Sequence, residues 1–141
     1  MEINRTSWIA LKYKKEDKVY ICFAKRSKKA NNPKLWNLFG GGLEKGETPI
    51  QTAYRELKEE AGVINVKLEL FKSIKVKDNE INMFTNIGYL DKLPKIKINK
   101  ESSEYKWLSL KGFLKLYTKK VLHQKTKLLN RYILKILLGD E

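Results

Sequence analysis

The chain has 141 residues, of which 42% are hydrophobic and 33% charged, and its formal net charge is +14. This composition excludes a disordered chain and suits one folded core, so we expect residues 1–141 to form a single domain. No apolar run approaches the ~20 residues that a membrane-spanning helix needs. The N-terminus does not resemble a signal peptide. We therefore expect a cytoplasmic protein, monomeric or homodimeric, that does not associate with membranes.

The basic residues are mostly lysine, 26 of 30. Scattered lysine can be a plain solvated surface, whereas arginine forks recognise phosphate more specifically. The charge therefore leaves two readings open, a solvated surface and a field that attracts anionic nucleotides or RNA. Cys22 is the only cysteine and excludes an intramolecular disulfide, while His123 is the only histidine. Any metal must be held mainly by oxygen, which favours Mg²⁺ or Mn²⁺.

Apolar and β-branched runs predict the strands in chain order. The first three are Ser7–Tyr13, Lys18–Arg26 and a short strand at Leu35–Phe39 that leads into three glycines. Two more, "INVKLELFKSIKV" and "INMFTNIGYL", flank a turn at Lys77–Glu80, and "EYKWLSL" follows a polar loop. A short helix fits "KGFLKLY", and one helical stripe runs through "KTKLLNRYILKILL". Strands mixed with a few helices predict an α/β or α+β sandwich.

A helix is predicted over Pro49–Ala61. Thr48 can cap its start and complete a capping box with Gln51, proline suits the first position, and Gly62 can end it. A core-facing stripe is expected at the spacing i, i+3, i+4, i+7 and i+11, and it comprises Ile50, Ala53, Tyr54, Leu57 and Ala61. The helix is therefore expected to pack one face on the sheet.

Three glutamates of this helix, Glu56, Glu59 and Glu60, lie together on another side of it. Like charges one turn apart destabilise a bare helix, and the C-terminal half of a helix disfavours anions. An isolated cluster of this kind is often a solvated acidic surface. A bound divalent cation would reverse both penalties, and the glycines before the helix, including Gly41 and Gly42, let the backbone turn sharply and approach a ligand closely.

The segment Gly41–Val63 resembles the Nudix box: a glycine, five residues, a glutamate, seven residues, then Arg-Glu-aliphatic-x-Glu-Glu-x-Gly-aliphatic. Every specified position is present, namely Gly41, Glu47, Arg55, Glu56, Leu57, Glu59, Glu60, Gly62 and Val63. The flanking strands resemble those of Nudix domains at lower specificity. The resemblance implies a Nudix α/β/α sandwich with a mixed sheet between helices, and an Mg²⁺- or Mn²⁺-dependent hydrolase of nucleoside diphosphates linked to another moiety.

The resemblance also implies roles for individual residues. Glu56, Glu59 and Glu60, with the carbonyl of Gly40, would be the metal ligands. Glu56 is also the expected general base, and Arg55 with Glu47 would form an orienting pair. The base varies within the family, so Glu104, just before "YKWLSL", is the alternative beside an ordinary loop glutamate.

Substrate recognition is less specified. Arg26 matches in spacing an arginine that contacts phosphate in MutT-like proteins, and a plain surface charge is the other reading. Gly41, Gly42 and Phe39 are assigned to the substrate side, although MutT-like members usually have proline where Phe39 stands. Four aromatic residues could stack on a base or belong to the core: Trp36, Phe39, Phe84 and Trp107. His123 is expected to be an ordinary surface residue.

Three functions follow as hypotheses. The first is hydrolysis of a (d)NTP, such as an oxidised dNTP, to the monophosphate and pyrophosphate. The second is pyrophosphate or cap removal from RNA 5′ ends, or hydrolysis of dinucleoside polyphosphates. The third is a nucleotide- or RNA-binding module without turnover, which the complete box argues against.

Overall fold

The computed structural model describes residues 5–30, 33–76 and 81–139. The strands and helices along these residues are β1 (Arg5–Lys15), β2 (Lys18–Arg26), β3 (Trp36–Asn37), β4 (Phe39–Gly42), α1 (Pro49–Ala61), β5 (Leu68–Val76), β6 (Ile81–Leu90), β7 (Ser102–Leu108), α2 (Leu110–Thr118), α3 (Gln124–Leu128) and α4 (Asn130–Leu137). The predicted turn at residues 77–80 lies outside the described residues.

The strands form one mixed sheet in the order β3-β2-β1-β6-β5, to which β4 adds by pairing with β1 and β7 by pairing with β2. β1 and β6 run parallel, in register from Arg5 opposite Asn82 to Tyr13 opposite Leu90. β1 pairs antiparallel with β2 and β4 on its other side. β1 is therefore the central strand, and the mixed sheet expected from the sequence is confirmed.

Helices cover both faces of this sheet, because each face carries its own apolar cluster. On one face, Ile9, Leu11, Cys22 and Phe39 pack with Ala53, Leu57 and Ala61 of α1. On the other face, Trp8, Phe23 and Trp36 pack with Phe113 of α2 and with Ile133 and Ile136 of α4. This arrangement confirms the α/β/α sandwich.

Helix α1 has the predicted bounds and caps. The Thr48 hydroxyl accepts a hydrogen bond from the Gln51 N–H at 3.2 Å, and the Thr48 N–H donates to Gln51 Oε1 at 2.9 Å. Gly62 ends the helix with a left-handed φ of 68°. Tyr54 departs from the predicted buried stripe: it is 39% exposed, and its hydroxyl accepts from the Leu68 N–H at 2.8 Å.

Two segments differ from the expectation. The predicted strand at residues 35–39 is divided into β3 and β4, and the three glycines lie within β4 rather than in a sharp turn. They are extended because β4 pairs with β1 from Phe39 opposite Ile9 to Gly42 opposite Thr6. The C-terminal stripe is divided between α3 and α4 at Leu129. Leu129 itself is buried.

Candidate active site

The start of α1 is fixed to the sheet by a chain of buried polar groups. Ser7 of β1 donates its hydroxyl to the Pro49 carbonyl at 2.7 Å. Asn86 of β6 in turn donates its side-chain amide to Ser7 Oγ at 2.7 Å and to the Trp8 carbonyl at 2.9 Å. These bonds, with the apolar stripe of α1, set how the helix sits on the sheet, and that places its glutamates beside β4.

Arg55 lies at the centre of a charged network formed by glutamates of α1 and of the loop before it. Its Nε donates to Glu47 Oε2 at 2.7 Å and its Nη2 donates to Glu47 Oε1 at 3.0 Å, a two-pronged pair. Glu47 Oε1 also accepts from the Thr52 hydroxyl at 2.8 Å and from the Glu44 N–H at 2.9 Å. The bonds from Arg55, and those from Glu44 and Thr52, lower the pKa of Glu47 to about 2. Glu47 is therefore ionised at any physiological pH.

Glu56 lies against β4 in a space that only glycine leaves open. A Cβ at Gly41 would stand 2.7 Å from Glu56 Oε1 and 2.8 Å from its Cδ. Arg55 Nη1 donates to Glu56 Oε1 at 2.9 Å and orients the carboxylate. Burial raises the pKa of Glu56, Arg55 opposes this, and the charges of Glu59 and Glu101 raise it further. The structure thus explains why a glycine stands at position 41.

Glu60 is the most deeply placed of the three glutamates, with 7% of the residue exposed. Its Oε1 accepts a hydrogen bond from the Gly40 N–H at 2.7 Å. Burial, with the charges of Glu56 and Glu101, raises the pKa of Glu60 to about 8, while the Gly40 N–H and the charge of Arg26 act in the opposite direction. The described contact of Gly40 with this cluster is made by its N–H, whereas the sequence assigned its carbonyl.

Glu59 is the most exposed of the three, with 55% of its side chain exposed, and its Oε2 lies 3.4 Å from Arg55 Nη1, the nitrogen that also contacts Glu56. Within the described ranges, no three carboxylate, histidine or cysteine side chains form a ready-made metal cluster. A divalent cation nevertheless fits the donor set, because Glu56 and Glu60 are oxygen ligands whose charges repel each other in a partly dry site. Hard cations such as Mg²⁺ take such ligands.

A fourth carboxylate, Glu101, lies within electrostatic reach of this site and was not predicted. It lies in the loop just before β7, and its charge raises the pKa of both Glu56 and Glu60. The expectation of a carboxylate just before the last strand was attached to Glu104, because the strand was expected to begin there. β7 begins at Ser102, so Glu101 is the residue that stands just before it.

Glu104 lies on the other face of the sheet. It is directly opposite Lys25 in the β2–β7 pairing, and its Oε2 is 4.0 Å from Lys25 Nζ. Because side chains alternate along a strand, Lys25 shares its face with Phe23, which packs on α2 and not on α1. Lys106 Nζ also lies 4.0 Å from Glu104 Oε1. The structure therefore does not bring Glu104 together with the glutamates of α1.

A basic pocket of about 460 Å³ lies at the end of β2. It is lined by Arg26, Lys29, Ala30, Lys100 and Glu101. Arg26 and Glu101 both act on the pKa of Glu60, so two residues of the pocket lining lie within electrostatic reach of the acidic cluster. The sequence singled out Arg26 but missed the two lysines, which lie on loops that come together only when β2 pairs with β7.

The aromatic residues considered for base stacking are mostly in the core. Phe39 is 1% exposed and Trp36 6% exposed, so neither ring offers a face to a substrate. Trp107 and Phe84 are half-buried. His123, expected at the surface, is 8% exposed, and its Nδ1 accepts from the Lys125 N–H at 3.1 Å. Burial and the nearby charges of Arg26 and Lys125 lower its pKa.

The fold and this site define a class: an α/β/α sandwich whose acidic groups lie on a helix that follows a glycine-rich strand. A family model described as the NUDIX domain matches residues 3–129, most of the chain. The chain belongs to the Nudix family, as the resemblance at Gly41–Val63 implied.

The curated relatives match this chain either over most of its length or over a short segment. An RNA pyrophosphohydrolase from Pelagibacter ubique (strain HTCC1062) is 32% identical over 129 residues, covering 77% of this chain and 78% of the relative. One from Bartonella clarridgeiae is 57% identical over 35 residues, covering 25% of this chain and 20% of the relative. Several further relatives with the same description are likewise matched over only about a fifth of their length.

Solved structures share the fold. A C. elegans Ap4A hydrolase in a binary complex has a TM-score of 0.73 at 19% identity, with 97% of this chain and 99% of that chain covered. The Nudix hydrolase RenU from M. smegmatis has a TM-score of 0.78 at 17% identity, with 100% of this chain and 89% of that chain covered.

In the described residues, no helix is long and apolar enough to cross a membrane.

Proposed function

We propose that this protein is a divalent-metal-dependent pyrophosphohydrolase that cleaves a phosphoanhydride bond of a nucleoside 5′-polyphosphate. One observation carries the proposal: Glu101 and Arg26 line a pocket together with two lysines, and both lie within electrostatic reach of the buried Glu60. Clustered carboxylates attract a hard cation, and clustered cations attract phosphate. A polyphosphate that carries its own metal ion satisfies both halves of this site.

The glutamates of α1 have two roles, cation binding and proton transfer. Glu56, Glu59 and Glu60, with Gly40, would hold Mg²⁺ or Mn²⁺, and the bound cation would neutralise phosphate charge and make water more acidic. Glu56 accepts the proton of the attacking water as general base, while Arg55 keeps its carboxylate oriented. Glu101, in place of Glu104, supplies the carboxylate from outside the helix and adds to cation binding from the pocket side.

The cations of the pocket bind the phosphates that are not attacked. Arg26 ends β2 within electrostatic reach of Glu60, and its planar guanidinium can hold two phosphate oxygens at once. Lys29 and Lys100 approach the pocket from two different loops and add point charges that tolerate several phosphate geometries. The pocket therefore suits a chain of phosphates better than a single one.

The 5′-triphosphate end of RNA is the substrate we favour. The residues that line the pocket include no aromatic ring, and Phe39 and Trp36 are buried in the core, so the described residues give the base little to stack on. Recognition would then rest on phosphate, which suits a protein with a net charge of +14. The relative matched over 77% of this chain is named an RNA pyrophosphohydrolase, which supports the same substrate.

A free (d)NTP, including an oxidised dNTP, is the second candidate. Arg26, Lys29 and Lys100 would bind its polyphosphate as they would that of RNA, because these cations recognise phosphate and not the base.

A panel with Mg²⁺ tests these proposals. It contains a 5′-triphosphorylated RNA, dGTP and oxidised dGTP, each followed by release of pyrophosphate or orthophosphate. It also contains a dinucleoside polyphosphate, followed by the formation of its two nucleotide products. We expect the RNA to give the highest kcat/KM and a steep decrease of that value with salt. Turnover of oxidised dGTP above that of RNA would transfer the assignment to the nucleotide pool. The absence of turnover on every substrate would refute the hydrolase mechanism proposed for these residues.

A further inference from the structure

The loop that carries Glu101 is fastened at both ends. On one side, the Lys97 N–H donates to the Ala61 carbonyl at 2.8 Å, at the last turn of α1. On the other side, the Ser27 N–H donates to the Glu101 carbonyl at 2.9 Å, and the Ser27 hydroxyl donates to the Lys100 carbonyl at 2.8 Å. The loop therefore connects the acidic helix with the end of β2.

Between these ends, the side chain of Asn99 makes two bonds of its own. Its Nδ2 donates to the Glu59 carbonyl at 3.1 Å, and its Oδ1 accepts from the Glu101 N–H at 3.0 Å. The last carbonyls of a helix lack partners within the helix, so Asn99 satisfies a group that would otherwise need water. One side chain thus links the backbone beside Glu60 directly to the backbone of Glu101.

We propose that Asn99 is a positioning residue that fixes the separation between Glu101 and the carboxylates of α1. The proposal rests on the function proposed above, in which Glu101 helps to bind the cation. A shift of Glu101 by one ångström would change the distance from its carboxylate to a cation held by Glu56 and Glu60. Removing a group that orients a metal ligand in this way typically lowers metal affinity or activity about 10–100-fold.

The side chain of Asn99 is specifically suited to this link. Lys97 holds the helix through its backbone N–H, which any residue except proline provides. Asn99 must donate to one carbonyl and accept from one N–H at the same time, and a primary amide does both. Aspartate would keep the acceptor, lose the donor and place a negative charge at the negative end of α1. Alanine would lose both bonds.

A double-mutant cycle tests the link with two readouts. We expect Asn99→Ala to lower kcat about 10-fold with little change in KM, and to weaken Mn²⁺ binding in a titration without substrate by a similar factor. In the Glu101→Gln background, the same change should alter either quantity by less than about 2-fold, because the group being positioned is gone. Asn65→Ala is the matched control, since Asn65 is exposed in the loop after α1. It should match the wild type in both readouts.

Several results would overturn the proposal. Equal losses in both backgrounds would mean that Asn99 acts independently of Glu101, and wild-type values in Asn99→Ala would mean that it positions nothing. If the alanine variant does not fold, Asn99→Asp replaces it in the kcat cycle, because it keeps the bond to the Glu101 N–H. If the wild type turns over no panel substrate, the proposed function fails, and the Mn²⁺ cycle still decides the role of Asn99.

Discussion

Arg55 joins Glu47 to Glu56. Two of its nitrogens donate to the Glu47 carboxylate at 2.7 and 3.0 Å, and the third donates to Glu56 Oε1 at 2.9 Å. Glu47, which lies outside the helix, therefore influences the orientation of a carboxylate inside the site. The pair acts as a brace because the guanidinium is planar and its three nitrogens have fixed directions.

Replacing Arg55 with lysine should break the link between Glu47 and Glu56 while keeping the positive charge. A lysine ammonium cannot bond both Glu47 oxygens and Glu56 in the same geometry, so we expect kcat to fall about 10–100-fold with the circular dichroism spectrum retained. Arg131→Lys makes the same change at an exposed position of α4 and should leave kcat unchanged. Equal activity of the two variants would contradict the bracing role.

The Glu47 pair should also make stability depend on acid pH. The pKa of Glu47 is about 2 in the folded protein against an ordinary value of 4.5, so the folded state favours the ionised form. Its contribution is therefore present above about pH 4.5 and is lost as the pH falls towards 2. Urea unfolding of the wild type and Glu47→Gln should show a gap that narrows between pH 5 and pH 3. A constant gap would show that the charge of Glu47 is not responsible.

Gly41→Ala should impair activity more than stability. The added Cβ would stand 2.7 Å from Glu56 Oε1, and a flexible carboxylate can move away at little cost to the fold. The moved Glu56 would no longer lie where Arg55 orients it, so we expect a kcat at least about 10-fold lower with a similar melting temperature. Gly42→Ala is the comparison, because its nearest neighbour, the Arg5 carbonyl oxygen, is 3.8 Å away. A larger loss from Gly42→Ala would contradict this steric account.

When divalent metal is removed, the stability of the fold should depend on the protonation of Glu60. Its pKa of about 8 in the fold exceeds the ordinary 4.5, so the folded protein holds the proton more tightly than the unfolded chain does. In EDTA, stability should therefore fall as the pH rises from about 5 to about 8, by at most about 1.4 kcal/mol per pH unit from this group.

Glu60→Gln should remove that decrease, and Mg²⁺ should restore the stability of the wild type at pH 8 but not that of the variant to the same extent. Melting curves at pH 5, 6.5 and 8 measure both effects. A wild-type stability that rises over this range in EDTA would contradict the buried, repelled state of Glu60.

Glu101→Gln should cost more activity than Glu104→Gln. Glu101 borders the pocket and acts on the pKa of two glutamates of α1, whereas Glu104 pairs with Lys25 on the face covered by α2. Comparing kcat and the Mg²⁺ concentration for half-maximal rate in the two variants measures the difference. A larger loss from Glu104→Gln would return the outer carboxylate to the position expected from the sequence.

The sequence could predict whatever depends on neighbouring residues. The bounds of α1, its capping box and its terminal glycine follow from residues within one turn of each other, and the structure has all of them. The resemblance to the Nudix box also predicted which glutamates of α1 form the acidic cluster, because they lie within two turns of one helix. The same is true of β2, whose bounds agree at both ends.

What the sequence could not predict depends on pairing between distant strands. From the sequence alone, Glu101 and Glu104 are equally plausible candidates for this carboxylate. The β2–β7 register places Glu104 on the face of the sheet that α2 covers, whereas Glu101 lies in the loop before β7 begins. Phe39 looked available to a base because it adjoins the glycines. It is buried because β4 pairs with β1, which turns its ring into the core beneath α1.

The parallel pairing of β1 with β6 also governs when this site can exist. β1 is made early during synthesis and β6 much later, so α1 and its glutamates leave the ribosome before their central strand has its partner. Asn86, which holds Ser7 and through it the start of α1, arrives only with β6. A nascent chain that ends before residue 81 therefore carries the complete acidic helix without the support that orients it.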